Sequence, residues 1–300
     1  MITFAGLIAR IPSGISQGIL WGIMALGVYI TFKVLEISDM TVDGSFATGG
    51  AVCVMLITKN VHPLLALAAA FGAGLLAGLV TGPIHTKLKI PSILSGILVQ
   101  FALYSVNLHI MDMHANQSAN PDQFHLLISM RNIPKAIGIG LVIVVIVIAM
   151  MYWYFGTEQG SAIRATGNNP EMSLANGINI DTMKVIGLSL SNGIVAFAGG
   201  LMAQYQGYAD VSMGRGAVVI GLAAIIIGEV LCNLIFKKGS SFHTRLSFVI
   251  IGGILYYMAM IVILWLRIDS NDLKLFTALI VMIFLAIGNM RKGGSSYVKD

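Results

Sequence analysis

Two carboxylates, Asp39 and Asp43, stand four residues apart in a stretch that also carries Thr41, Ser45 and Thr48. On a helix, residues at i and i+4 share a face. Two roles are open to the pair. One is a polar lining along which a solute crosses, joined by Ser95, Gln100 and Asn192 from other apolar runs and, with less to distinguish them, by Tyr104, Asn107 and Gln204. The other is structural: carboxylates at a membrane interface, with Asp43 ahead of Gly44 and Ser45 as an N-cap. Ser, Asn and Gln in apolar helices serve equally as interhelical hydrogen-bonding groups. Glu229, towards the C-terminal end of its apolar run, either faces the same path or marks the end of a span.

Catalysis has no comparable foothold. HExxH and CxxC patterns are missing, and the six histidines (His62, His85, His109, His114, His125 and His243) are scattered. The phosphate-cradling GxxxxGK[ST] pattern is also missing, so any ATP hydrolysis coupled to this chain by that route belongs to another polypeptide. No catalytic residue, metal site or cofactor is expected. Cys53 and Cys232 both lie in apolar runs and read as buried thiols.

A second constellation lies in residues 156–181, GTEQGSAIRATGNNPEMSLANGINID. Asn169 suits an N-cap, Pro170 the first helical position, and Glu171 the positive end of the helix dipole. Met172, Leu174 and Ala175 give a short apolar face, and Gly177 suits the left-handed residue that ends a helix. A helix of about two turns is unstable alone in water, so it docks on something. That is either its own protein or a soluble partner.

The elements that must position these groups are membrane spans. Charged residues make up 10% of the chain against roughly 25% in soluble domains, and mean hydropathy is +0.86. Repeated apolar runs near the length needed to cross a bilayer predict an all-α integral membrane protein of about nine transmembrane helices, some broken or half-length. Residues 1–12 read as a short interfacial or peripheral helix. Spans follow at 14–35, around 46–58, and at 63–83, 91–109, 136–155, 185–204, 217–236, 246–266 and 274–289. The run 46–58 is short, which predicts either extension back through Thr41 or a break favoured by Gly44, Gly49 and Gly50. Gly74, Gly78 and Gly82 form a small-residue stripe for close helix contact. The basic loops near Lys87, 237–245 and 291–299 fall on one side together with loop 156–184. By the positive-inside rule that side is cytoplasmic, 110–134 faces out, and parity puts the N-terminus outside. One polytopic transmembrane domain spans 1–290, followed by a cytoplasmic tail at 291–300. The net charge of +5 is accounted for by these loops and calls for no nucleic-acid partner.

Two strings carry a family resemblance. ALGVYITFKVLEISDMTVDGSFATGGAV is similar to the first-to-second-span region of permease subunits of branched-chain amino-acid and ribose-type ABC importers. GTEQGSAIRATGNNPEMSLANGINIDTMKVIGLSLSNGIVAFAGGLMAQYQG resembles their cytoplasmic loop and following helix, with Gly160, Arg164, Ala165, Gly167, Asn168, Ala175, Gly177 and Ile178 where that pattern places such residues. The wording around ISDMTVDGSF is closest to a tryptophan or tyrosine transport subgroup. The resemblance covers roughly residues 14–290. It implies a cell-membrane permease working as a dimer with cytoplasmic ABC-type ATPases and an external substrate-binding lipoprotein. The substrate it implies is a small solute, an amino acid and notably an aromatic one. It further implies that the short helix seats on the ATPase, with Arg164, Asn169, Pro170, Glu171, Met172 and Gly177 as the coupling residues. Outward loops 110–134 and 206–216 would receive substrate. The rival is an ion-coupled secondary transporter or channel, which requires ionisable groups in mid-span.

Overall fold

The computed structural model describes residues 4–236 and 241–265, with isolated helical positions between 275 and 282; side chains are described from Arg10 onward. Apart from those positions the expected span 274–289 lies outside the described residues, as do the tail 291–300 and the basic segment 237–240.

Among the described residues up to 265, ten helices and two short strands follow in order. They are α1 (Phe4–Tyr29), which runs on into a π-helical turn (Ile30–Val34), α2 (Thr41–Thr58), α3 (Pro63–Thr86), α4 (Ser92–Ile110), β1 (Asn116–Ser118), α5 (Ile133–Phe155), α6 (Glu158–Asn168), α7 (Pro170–Ala175), α8 (Ile180–Gln206), β2 (Tyr208–Asp210), α9 (Ala217–Ile235) and α10 (Phe242–Trp265). Among the described residues eight are long and apolar enough to cross a membrane: α1 from Arg10, α2, α3, α4, α5, α8, α9 and α10. The protein is thus a multi-pass, all-helical membrane protein.

Two expectations about the spans need correction. The expected segment 1–12 is not separate over its described part, because α1 is continuous from Phe4 through Pro12. The second span is not broken at its glycines. It is an unbroken 18-residue helix extended back to Thr41, about 27 Å long. The irregular backbone lies just before it, at 35–40, where Glu36 takes a φ of 55°. Gly44 and Gly49 are instead contact points: a Cβ would strike Gln100 and Leu103 of α4 at the first, and the Ala196 carbonyl of α8 at the second.

Packing centres on α8. The stripe of Gly74, Gly78 and Gly82 on α3 lies against Asn192, Leu188 and Val185 in turn, so the two helices run antiparallel at backbone contact. Helices α1, α2 and α8 are mostly buried, whereas α4 and α5 are mostly exposed, as helices at a lipid-facing edge are. Phe101, Val145 and Trp153 are among their bare side chains. Tyr152 and Trp153 end α5 as an exposed aromatic belt, while Phe155 turns inward.

The two ends of the bundle differ. At one end β1 and β2 pair antiparallel, Asn116 with Asp210 and Ser118 with Tyr208, tying loop 110–134 to loop 206–216. Asp122 and Arg131 meet there in a two-pronged ion pair whose hydrogen bonds hold the Asp122 carboxyl below the usual carboxylate range. At the other end sit α6 and α7, with Lys87 and Lys89 in the turn after α3.

Candidate functional site

The polar residues singled out in the spans fall into separate groups. Asn192 is near the midpoint of the 27-residue α8 and is completely buried. Its Nδ2 donates to Asp39 Oδ2 at 2.7 Å, and its Oδ1 accepts from Ser45 Oγ at 2.6 Å. Asp39 Oδ1 accepts from the Thr41 backbone N–H at 2.8 Å, so this carboxylate caps the start of α2. Thr41 and Thr81 join hydroxyls 2.9 Å apart, extending the network to α3. Asp39, Ser45 and Asn192 therefore form one closed cluster that stitches α2 to α8. Every polar arm of the Asn192 amide is engaged, as a buried amide in a lipid-bounded bundle requires.

Asp43 belongs to a different junction. It lies in the first turn of α2 but reaches across to α9, where its Oδ2 accepts from Gly216 N–H at 2.9 Å and Oδ1 from Val218 N–H at 3.0 Å. The positive N-terminus of α9 is thus capped from another helix. Asp43 is two residues from Ser45, so α9 begins deep in the bundle, beside the middle of α8. The stretch 208–216 descends to that point from the β-ribbon. Ser95 is buried and spends its hydroxyl on the Ser92 carbonyl of its own helix at 2.8 Å; Gln100 is half-buried where α4 meets Gly44. Neither joins the Asp39–Ser45–Asn192 cluster.

The loop 156–184 folds as two helices rather than one. Asn169 caps α7 through its side chain, accepting from Met172 N–H at 3.0 Å. Pro170 opens the helix, and Gly177, at φ +78°, ends it. The apolar face does not turn inward. Met172 and Leu174 are 64% and 61% exposed on a helix that is not one of the spans. Ser173 alone on α7 is buried. Glu171 is exposed beside the helix start. Arg164 sits apart, on α6, with its guanidinium 5.9 Å over the Phe242 ring of α10.

Three features escaped the sequence reading. Helix α6, capped by Thr157, lacks an apolar stripe and carries two glycines, so nothing in its pattern announces a helix. Both glycines are contact points: Gly160 rests on the end of α5, and Gly167 on the Val34 carbonyl at the π-helical turn. Lys33, on that turn, pairs with Glu229 of α9 at 2.8 Å. Glu229 therefore faces a neighbouring helix near the α6–α7 end of the bundle. Each residue of the pair is visible in the sequence, but nothing local joins positions so far apart.

The fold is thus a multi-pass helical bundle with a short, exposed helix at one end. The chain belongs to the family described as branched-chain amino acid transport system / permease component, whose model matches residues 10–286. The tyrosine transport system permease protein of Clostridioides difficile is 39% identical over 280 residues, covering 93% of this chain and 92% of that one. The ribose import permease protein RbsC of Escherichia coli is 26% identical over 236 residues, covering 77% and 71%. Among solved structures, PsaBC from Streptococcus pneumoniae in complex with Fab is similar at a TM-score of 0.52 and 12% identity over 95% of both chains, a likeness of fold.

Proposed function

We propose that this permease forms the membrane passage of an ATP-driven importer, carries an amino acid, and takes its force through α7. The single observation behind the coupling role is the exposed Met172–Leu174 face on a helix capped at both ends. Apolar side chains held rigidly in water are what a partner's cleft buries. Asn169, Pro170 and Gly177 hold the shape, Glu171 and Met172 make contacts, and Arg164 braces α6 on α10.

Force has a continuous route. Helix α6 follows α5 directly and rests on the π-helical turn of α1 through Gly167, and that turn is tied to α9 by Lys33 and Glu229. Tilting α7 therefore displaces α1, α5, α8 and α9 together, a rigid-body movement of the sort that opens one side of a bundle and closes the other. Asp39, Asp43, Ser45, Ser95, Gln100 and Asn192 would be met by solute only in such a rearranged state, since four of them are spent on mutual or capping bonds here. Family membership implies ATPase and substrate-binding partners. A homodimer completes the proposal, with an external lipoprotein delivering an amino acid, aromatic as in the tyrosine-transport relative.

The test is capture. The affinity-tagged permease, co-expressed with an ABC-type ATPase, is expected to retain it through purification. The Met172→Glu/Leu174→Glu variant should stay monodisperse yet lose the ATPase by roughly tenfold or more, as interface anchors do. Equal capture by both forms would refute the role of α7. Uptake into liposomes driven by an ion gradient, without nucleotide or ATPase, would favour the secondary-transporter rival instead.

A further inference from the structure

Helix α5 is about 34 Å long and ends in the exposed rings of Tyr152 and Trp153, so its last turn stands at headgroup depth in a bilayer. An open cavity of about 440 Å³ lies there, within the roughly 300–1,000 Å³ of small-molecule sites. Tyr152 and Trp153 line it from α5, Gly156 and Thr157 from the turn into α6, Arg164 from α6 and Phe242 from α10. Arg164 is the one charged residue in this lining, and Glu158, next to Thr157, is not part of it. The guanidinium is held 5.9 Å over the Phe242 ring, which Phe155 backs at 5.5 Å. Among the described residues Arg164 has no hydrogen-bonding or ion-pair partner, so its N–H donors are unspent. The Thr157 hydroxyl is spent: it donates to the Tyr154 carbonyl at 2.6 Å and accepts from Gly160 N–H at 3.3 Å.

We infer that this cavity holds the headgroup of an anionic phospholipid, with its phosphate on Arg164 and its glycerol backbone and upper acyl chain along Tyr152 and Trp153. The inference goes beyond the permease reading and needs only that the helices span a bilayer. A guanidinium is the side chain best matched to a phosphate, because it donates two parallel hydrogen bonds and keeps its charge at any working pH. A ring beneath it fixes its place while leaving its edges free to donate. The neighbouring sequence adds positive charge: Phe242 lies in the run 237–245, which also holds Lys237, Lys238, His243 and Arg245. Basic residues clustered beside a span draw anionic lipid. A soluble phosphate would offer the same charge to Arg164. Only a lipid also brings hydrocarbon to Trp153, which is 73% exposed at the end of a span. The lining comes from three helices, so a headgroup seated here would tie α6, the helix that leads into α7, to α5 and α10.

Native mass spectrometry of the delipidated full-length protein in detergent tests the site. The protein is offered phosphatidylglycerol and phosphatidylcholine with the same acyl chains, and glycerol phosphate as the headgroup without chains. The expected result is that the first lipid bound is phosphatidylglycerol, preferred over phosphatidylcholine roughly fivefold or more, and that glycerol phosphate does not displace it. Arg164→Gln should abolish the preference and Arg164→Lys should keep most of it, a difference that a purely structural role for the side chain would not produce. Trp153→Glu, a change at an exposed position, should also abolish it by setting a like charge beside the phosphate, and it serves where Arg164→Gln does not stay monodisperse. Lys87→Gln, in the turn after α3 and outside the lining, should leave the preference as it is. Equal retention of the two lipids, displacement by glycerol phosphate, a preference that survives Arg164→Gln or Trp153→Glu, or an equal loss in Lys87→Gln overturns the site.

Discussion

The cluster around Asn192 and the surface of α7 invert the usual placement of residue types. Deep in the bundle, a carboxylate, a hydroxyl and an amide satisfy one another completely. On α7, outside the spans, a methionine and a leucine stand exposed with nothing in this chain covering them. The first region is finished within this chain; the second is not. Polarity in a span is therefore a weak guide to where solute or partner binds, because lipid obliges buried polar groups to consume one another. An uncovered apolar face outside the membrane is the stronger sign of an interaction.

This contrast is sharpened by removing a member of each region. The largest effect is expected for Asn192→Ala, which strips the Asp39 carboxylate and the Ser45 hydroxyl of their shared partner in a dry interior. A loss of about 3 kcal/mol is expected, since a buried charge left without its partner costs this much. Its effect should combine non-additively with that of Ser45→Ala in a double-mutant cycle read by thermal unfolding in detergent. Simple additivity would mean that the cluster does not act as a unit. A smaller loss, about 1 kcal/mol, is expected for Asp43→Asn, which keeps one acceptor for the start of α9 but gives up the charge facing its dipole. An unchanged midpoint there would show that α9 needs no cap from α2. Substitutions on the exposed face of α7 should leave the unfolding midpoint where it is, while abolishing ATPase capture.

How much of this was legible depended on the range of the interaction. The caps of α7 were readable because Asn169, Pro170 and Gly177 act within a few residues. The stripe of Gly74, Gly78 and Gly82 was readable because its period matches a helix face, although its partner α8 was not. The junctions of Asp39 with Asn192, Asp43 with α9 and Lys33 with Glu229 were not, because each joins residues distant in sequence with no local signature. The glycines of α2 misled: Gly44 and Gly49 looked like places to break a helix, whereas close approach of α4 and α8 is what calls for them. Loops 110–134 and 206–216 were expected on one face, but strands of three residues are too short to announce their pairing.

The central claim is that α7 is the point at which a partner's force enters. Site-specific cross-linking tests it directly. Met172→Cys, labelled with a photoreactive maleimide and co-expressed with an ABC-type ATPase, is compared with Met113→Cys, which is equally exposed at the opposite end. Native Cys53 and Cys232 are buried and out of the reagent's reach. The account predicts a cross-link to the ATPase from position 172 and none from position 113; no product from 172, or equal yields from both ends, would contradict it.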